Sequence, residues 1–364
     1  MKVIVDDAIP FIDNRISEEV EVVRLPGKDI NREVVKDADA LIVRTRTKCN
    51  ESLLKDSKVR LVATATIGTD HIDTKWCEAN GIKVKSSPGC NAPGVAQYVL
   101  AALLESGFDI KSQTLGIIGY GNVGHVLVNW AKEMGIKTLI SDAPREKAGF
   151  NDVNYLPLEE VLTQSDAVTL HVPLTTSGEY PTKYMIGERE LNLMKHGAIL
   201  INSSRGGVVK ESDLKNKLNR GEVKAIIDVW ENEPSIDPEL VSLCHLATAH
   251  IAGYSEEGKR RATKMVLTAL SEELGIEVNT RNLVEEPPVS MVSRFGNDVS
   301  GEGNLSKKLE SEEMKKSIEF SGISPELILK SYSPSSDSLK LKSSVSSFEH
   351  LRNTYSYRHE PLYL

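Results

Sequence analysis

The chain has 364 residues, 40% of them apolar and 26% charged, with a formal net charge of −8. At about 150 residues per domain that length suits two or three domains with a sizeable core. The mild acidic excess argues against a nucleic-acid partner held on a basic face. No apolar run approaches the roughly 18 residues of a membrane helix, so no membrane partner is expected. The opening MKVIVDDAIPF lacks the long apolar stretch and small-residue cleavage site of a signal peptide. Cys49, Cys77, Cys90 and Cys244 show no CxxC spacing. Neither a metal site nor a disulfide framework is expected, and reduced thiols in a cytoplasm are the default.

In chain order, Val- and Ile-rich runs predict strands at Lys2–Asp6, Val20–Leu25, Ala40–Arg44, Leu61–Ala65 and Ile82–Lys85. Polar or helix-like stretches separate them, as in a parallel sheet covered by helices. A long apolar helix is expected from Pro93 to about Glu105. A second series follows, with strands at Leu115–Ile118, Thr138–Ile140, Ala167–His171, Ala198–Ile201, Ala225–Val229 and Leu246–Ala249. Six strands alternating with helical stretches match a doubly wound nucleotide-binding domain. Beyond His250, an apolar stripe of Ala262, Met265, Val266, Ala269 and Leu270 predicts an amphipathic helix, with Ser255 as its N-cap, packing back on the first domain. Composition changes near Val284. Residues 284–304 read as a linker or loop-rich start of a third unit; the serine-rich 331–347 taken alone could be disordered, yet Ser324-Pro325 reads as a helix start and Phe348, Leu351 and Tyr355 stand at helical spacing. The fold class is α/β: two Rossmann-like doubly wound domains plus a small C-terminal α+β domain.

The strongest local signal is Gly119-Tyr-Gly-Asn-Val-Gly124, a GxGxxG directly after an apolar strand and before a helical stretch. Gly119 permits the tight turn, Gly121 lets the backbone approach a pyrophosphate, and Gly124 allows close helix–strand packing. The amides of Tyr120 to Val123 then face the diphosphate at the helix N-terminus. Asp142 ends the next strand, where a carboxylate accepts hydrogen bonds from ribose hydroxyls and repels a 2′-phosphate. NAD is the expected cofactor, although Arg145 nearby could pair with a 2′-phosphate.

Among the histidines, His71, His125, His196, His350 and His359 read as surface or helix-end residues, and His171 lies near the cofactor mouth by topology. His250 follows the last strand at the carboxyl edge, where α/β sheets place ligands. Arg205 and Glu233 follow the two preceding strands. Arg205 could hold a 2-oxo carboxylate by its planar fork. His250 could take a hydroxyl proton as hydride leaves, with Glu233 orienting the imidazole and stabilising its cationic form.

Over residues 1–283 the chain resembles the D-isomer-specific 2-hydroxyacid dehydrogenases. The resemblance rests on Gly119–Gly124, Asn202-Ser-Ser-Arg-Gly206, the segment Asp228–Pro234, and His250. It implies that Arg205, Glu233 and His250 are catalytic. It also implies a discontinuous substrate-binding domain, 1–92 with 255–283, around an NAD-binding domain, 93–254. The segments Ala63–His71, Pro88–Ala92 and His250–Lys259 are similar to the members that oxidise 4-phospho-D-erythronate on the way to pyridoxal 5′-phosphate. That likeness implies that Thr45, Thr66 and Tyr254 contact substrate, and that Asp142, Asp228 and Gly253 contact NAD. It further implies a homodimer formed through a C-terminal dimerisation domain, 284–364, whose ending Phe348–Arg358 is similar in character. Val172 stands where a Thr can contact the cofactor, so no side-chain contact is carried over there.

A phosphorylated hydroxy acid needs a second anion site. Arg44 and Arg46 follow a strand, and alternation would send them the same way, so one of them, with Thr45, could bind the phosphate. Lys259 and Arg358 of a partner subunit are alternatives. Two rival functions stay open. One is another dehydrogenase of the family acting on 3-phospho-D-glycerate. The other is a non-catalytic NAD-sensing interaction protein.

Overall fold

The computed structural model describes residues 1–284 and 323–363. They form two compact units: residues 1–91 with helix Glu256–Leu274, and residues 92–255 with 323–363.

The first unit holds a parallel sheet of β1 (Lys2–Asp6), β2 (Glu21–Leu25), β3 (Ala40–Val43), β4 (Leu61–Thr64) and β5 (Lys83–Lys85), in the order β2-β1-β3-β4-β5. β3 and β4 are buried at every position, which is why they read as continuous apolar runs rather than alternating ones. One face packs Val3, Val5, Ile42 and Leu61 against Val266, Leu267 and Leu270 of helix Glu256–Leu274. The other buries Ile4, Leu41, Val43 and Val62. The stripe on the long helix differs from expectation in one detail: Leu267 is fully buried while Met265 is only half-buried.

The second unit holds β6 (Thr114–Ile118), β7 (Lys137–Ser141), β8 (Ala167–Leu170), β9 (Ile199–Asn202), β10 (Lys224–Ile227) and β11 (Leu246–Ala247), parallel and ordered β11-β10-β9-β8-β6-β7. A single parallel bridge from Tyr155 to Ile140 extends the sheet beyond β7. The order reverses between β6 and β8, and such a switch point opens a crevice at the carboxyl ends of the strands. Helix Ala92–Glu105 is buried along nearly its whole length beside helix Asn122–Glu133.

The described C-terminal residues are helical and belong to this second unit. Ile328 and Tyr332 share a core with Tyr98 and Leu100. Leu341 and Phe348 share another with Cys244 and Ala247. The serine-rich stretch is therefore mostly helix, Pro334–Ser343, anchored by the buried Pro334 and Leu341 while Leu339 faces solvent. Ser338 also accepts a hydrogen bond from the Ala247 N–H of edge strand β11, at 3.0 Å, so the helix covers an otherwise open sheet edge. The expected linker at 284–304 falls almost wholly outside the described residues.

Candidate active site

The three candidate catalytic residues follow three neighbouring parallel strands, Arg205 after β9, Glu233 after β10 and His250 after β11. Adjacent parallel strands deliver their following loops to one sheet edge, so topology alone gathers them. His250 Nδ1 lies 2.7 Å from Glu233 Oε2. An ionised carboxylate only accepts, so the Nδ1–H donates and Nε2 is left as the base. Both side chains are about three-quarters buried or more, with 29% and 19% of His250 and Glu233 accessible. Burial pushes the Glu233 carboxyl up, but the His250 hydrogen bond and charge, the Trp230 N–H and Arg352 outweigh it and hold the group below its usual value. Glu233 Oε1 accepts from that Trp230 N–H at 3.0 Å.

His250 has φ of 56°, in the left-handed region that side-chain-bearing residues rarely adopt. Asp228 holds the loop there. Its main-chain carbonyl accepts from His250 N–H at 2.8 Å. Its carboxylate accepts from Thr248 Oγ1 at 2.6 Å, Ile251 N–H at 2.8 Å and Ala252 N–H at 2.9 Å. Buried Tyr98 reaches Thr248 Oγ1 at 2.8 Å, and Trp230 Nε1 donates to the Thr248 carbonyl at 3.0 Å. Asp228, expected at the cofactor, thus has both carboxylate oxygens engaged in shaping the loop that carries His250. Gly253 follows within the same loop.

The Arg205 loop is built by Asn202, whose Oδ1 accepts from the Ser204 N–H and hydroxyl and whose Nδ2 donates to the Arg205 carbonyl. Arg205 is half-buried. A Cβ on Gly206 would lie 1.9 Å from the Trp230 carbonyl oxygen, so only glycine lets the β9 and β10 loops pass this closely.

The glycine turn after β6 fits a dinucleotide. Gly119 has φ of 95°, and a Cβ there would lie 2.4 Å from the His171 carbonyl oxygen. A Cβ on Gly124 would lie 2.3 Å from the Gly119 carbonyl oxygen, whereas Gly121 has open space around it. Gly121 also places no side chain over the first turn of helix Asn122–Glu133, leaving the Asn122 and Val123 end of the helix open to a diphosphate. The Tyr120 amide differs from expectation: it donates to Asp142 Oδ2 at 2.8 Å and so is not directed at a diphosphate. Asp142 Oδ1 caps the next helix through Arg145 N–H. Arg145 is held between Tyr155 Oη at 3.0 Å and Asp152 at 2.9 Å, with its guanidinium 4.1 Å from the centre of the Phe150 ring. Its guanidinium is thus engaged with the segment 150–155. Burial pushes His171, at the end of β8, down to about 3, so the crevice wall there is neutral.

In the first unit, the chain turns straight after β3, closed by Thr47 N–H to the Arg44 carbonyl at 3.3 Å. Strand alternation therefore stops at Val43 and does not align Arg44 with Arg46. Arg44 donates to the Ala8 carbonyl at 3.1 Å, while Thr45 and Arg46 are exposed. Thr66 Oγ1 lies 2.7 Å from Thr64 Oγ1, which lies 3.1 Å from His71 Nε2. His71 is thus a partner of the Thr66 network and not a plain surface residue.

Two further residues have roles that the sequence reading did not assign to them. Arg358 is buried, and its guanidinium donates to the carbonyls of Gly94, Ile251, Ala252 and Tyr254 and to Gln97 Oε1. It clamps the loop that follows His250 in its own chain, which removes it as a phosphate ligand for a partner. Arg352 reaches Tyr254 and Glu233. Only the similar character of the segment Phe348–Arg358 hinted at either.

Residues 100–252 match the model of the D-isomer specific 2-hydroxyacid dehydrogenase NAD binding domain. The chain is 40% identical to the erythronate-4-phosphate dehydrogenase of Bacteroides fragilis over 99% of its own length and 97% of that protein. It is 41% identical to the enzyme of the same name from Pseudomonas fluorescens, over 80% and 78%. Among solved structures, NAD+-bound 3-phosphoglycerate dehydrogenase of Entamoeba histolytica superposes with a TM-score of 0.62 at 26% identity, covering 76% of this chain and 96% of that one.

Proposed function

The chain belongs to the D-isomer-specific 2-hydroxyacid dehydrogenases, and from that premise we propose that it oxidises 4-phospho-D-erythronate to (R)-3-hydroxy-2-oxo-4-phosphooxybutanoate in pyridoxal 5′-phosphate (vitamin B6) biosynthesis. One observation carries the chemistry: the 2.7 Å pairing of His250 with Glu233 at the sheet edge that also bears Arg205. The full-length likeness to erythronate-4-phosphate dehydrogenases supports the substrate.

Arg205 binds the C1 carboxylate through its fork and polarises the C2 oxygen. His250 Nε2 takes the proton of the C2 hydroxyl, and Glu233 balances the positive charge that the ring gains. When bound, NAD supplies the acceptor for the hydride that leaves C2. Gly119, Gly121, Asn122, Val123 and Gly124 would cradle the diphosphate, Asp142 would receive the ribose hydroxyls, and Gly253 would contact NAD. Thr45, Thr66 and Tyr254 contact substrate, and the basic turn with Arg44 and Arg46 is our candidate for its phosphate. The enzyme works in the cytoplasm as a homodimer joined through residues 284–364.

Mass spectrometry of trapped 2-oxo product, after incubation with NAD and either 4-phospho-D-erythronate or 3-phospho-D-glycerate, tests the reading. Oxidation of the four-carbon acid alone is expected. Oxidation of the three-carbon acid instead overturns the substrate, and NAD binding without any turnover overturns the enzymatic reading.

A further inference from the structure

The catalytic pair receives a second cation from a distant part of the chain. Helix Phe348–Asn353 is anchored by Phe348, which is buried with Leu341 and Ala249, and by Leu351 beside them. From this helix Arg352 donates through Nε to Tyr254 Oη at 3.2 Å. Its Nη1 lies 3.6 Å from Glu233 Oε2, the same oxygen that holds His250 Nδ1. The Arg352 side chain is 25% accessible, so its charge is only partly screened by water.

We propose that Arg352 is a positioning residue of the reaction, fixing the Tyr254 hydroxyl and the ionised Glu233 carboxylate with one planar group. The proposal rests on the reading of Glu233 and His250 as the proton-handling pair. An arginine suits the task because Nε and the terminal nitrogens donate in fixed, divergent directions, whereas a lysine brings one point charge on a flexible stem. The charge matters because burial favours the protonated form of Glu233 and the cations oppose it. The groups that face Glu233 are His250, Arg352, the Trp230 N–H and, with the opposite effect, Glu211. Arg352 is the member of that set contributed by the C-terminal segment. It ties the Tyr254 end of the catalytic loop to the carboxylate that orients His250.

The test compares wild type, Arg352→Gln and Arg352→Lys as full-length enzymes, with melting temperature and NAD affinity as controls. Removing the cation lets the pair take up a proton at higher pH. Arg352→Gln is therefore expected to move the acid limb of kcat/KM upward by about half a pH unit and to lower kcat on the order of tenfold. Arg352→Lys should restore the acid limb but not the full kcat. An unchanged limb and kcat overturn the proposal. So does a rise confined to substrate KM, which assigns Arg352 to direct substrate contact. Should Arg352→Gln not fold, a double-mutant cycle of Arg352→Lys with Tyr254→Phe decides: coupled losses in kcat support the proposal and additive ones overturn it. Titration of carbon-13-labelled Glu233, assigned through Glu233→Gln, reads the same upward shift without turnover. An inactive wild type would thus overturn the proposed reaction, while this signal still decides the role of Arg352.

Discussion

At the scale of single residues, His250 shows how the site holds a group in an unfavourable conformation. Its left-handed backbone costs about 1–3 kcal/mol for a non-glycine residue. The Asp228 carbonyl and carboxylate fix both sides of it. A substitution at position 250 therefore changes the ring and leaves the loop, because the loop is held through main-chain atoms. His250→Gln is expected to lower kcat by about 10²- to 10⁴-fold, the usual worth of a positioned acid–base group. NAD affinity, measured by quenching of protein fluorescence, should stay within about twofold, since the proposed role lies in the chemical step. A parallel loss of NAD binding would instead make His250 a prop of the cofactor site.

At the scale of elements, the turn entering helix Glu211–Asn219 and the loop after β10 are joined by two carboxylates. Glu211 accepts from the Glu231 N–H at 2.7 Å, and Glu231 from the Glu211 N–H at 2.8 Å. Burial, then the charges of Glu231, Asp237 and Glu233, push Glu211 from 4.5 to about 7. The folded chain thus keeps a proton that the unfolded chain loses near 4.5. This contribution to stability is full below that pH and is lost as pH rises through about 7. Glu211→Gln keeps an acceptor oxygen and removes the charge. Its melting temperature should match wild type at acidic pH and exceed it by roughly 3 °C near pH 8. Equal curves at both would show that Glu211 is already relaxed by solvent. The strands that lead into these loops, β9 and β10, were legible because buried parallel strands are nearly continuous Ile, Leu and Ala runs. The gathering of Arg205, Glu233 and His250 at one sheet edge was legible because neighbouring parallel strands deliver their following loops to the same end. The alignment of Arg44 with Arg46 failed because the chain turns directly after Val43, and strand alternation has no meaning in a turn. Arg352 was invisible for a physical reason: an arginine on a short, polar helix has the same local pattern whether it meets water or a buried carboxylate.

At the scale of the whole molecule, the C-terminal residues are the part where composition misleads most. Nine serines in 331–347 suggest a stretch too polar to order itself. Helix Pro334–Ser343 is instead ordered by its neighbours: Leu341 is fully buried and Ser338 completes the edge of β11. Residues 323–363 therefore act as part of the second unit, covering Tyr98 and Leu100 with Ile328 and Tyr332, and clamping the catalytic loop through Arg358. Leu341→Ala tests this dependence at one contact. Truncating a buried leucine costs about 2–5 kcal/mol, which in a unit of this size lowers the melting transition by roughly 5–15 °C. Removing residues 323–364 altogether should lower it further and abolish NAD-dependent turnover, because the carbonyls of Ile251, Ala252 and Tyr254 lose their guanidinium partner. Calorimetry separates this from the alternative of a free-standing tail domain. An independent domain would vanish as its own transition and leave that of residues 92–255 in place, whereas an integral one takes the stability of the catalytic loop with it.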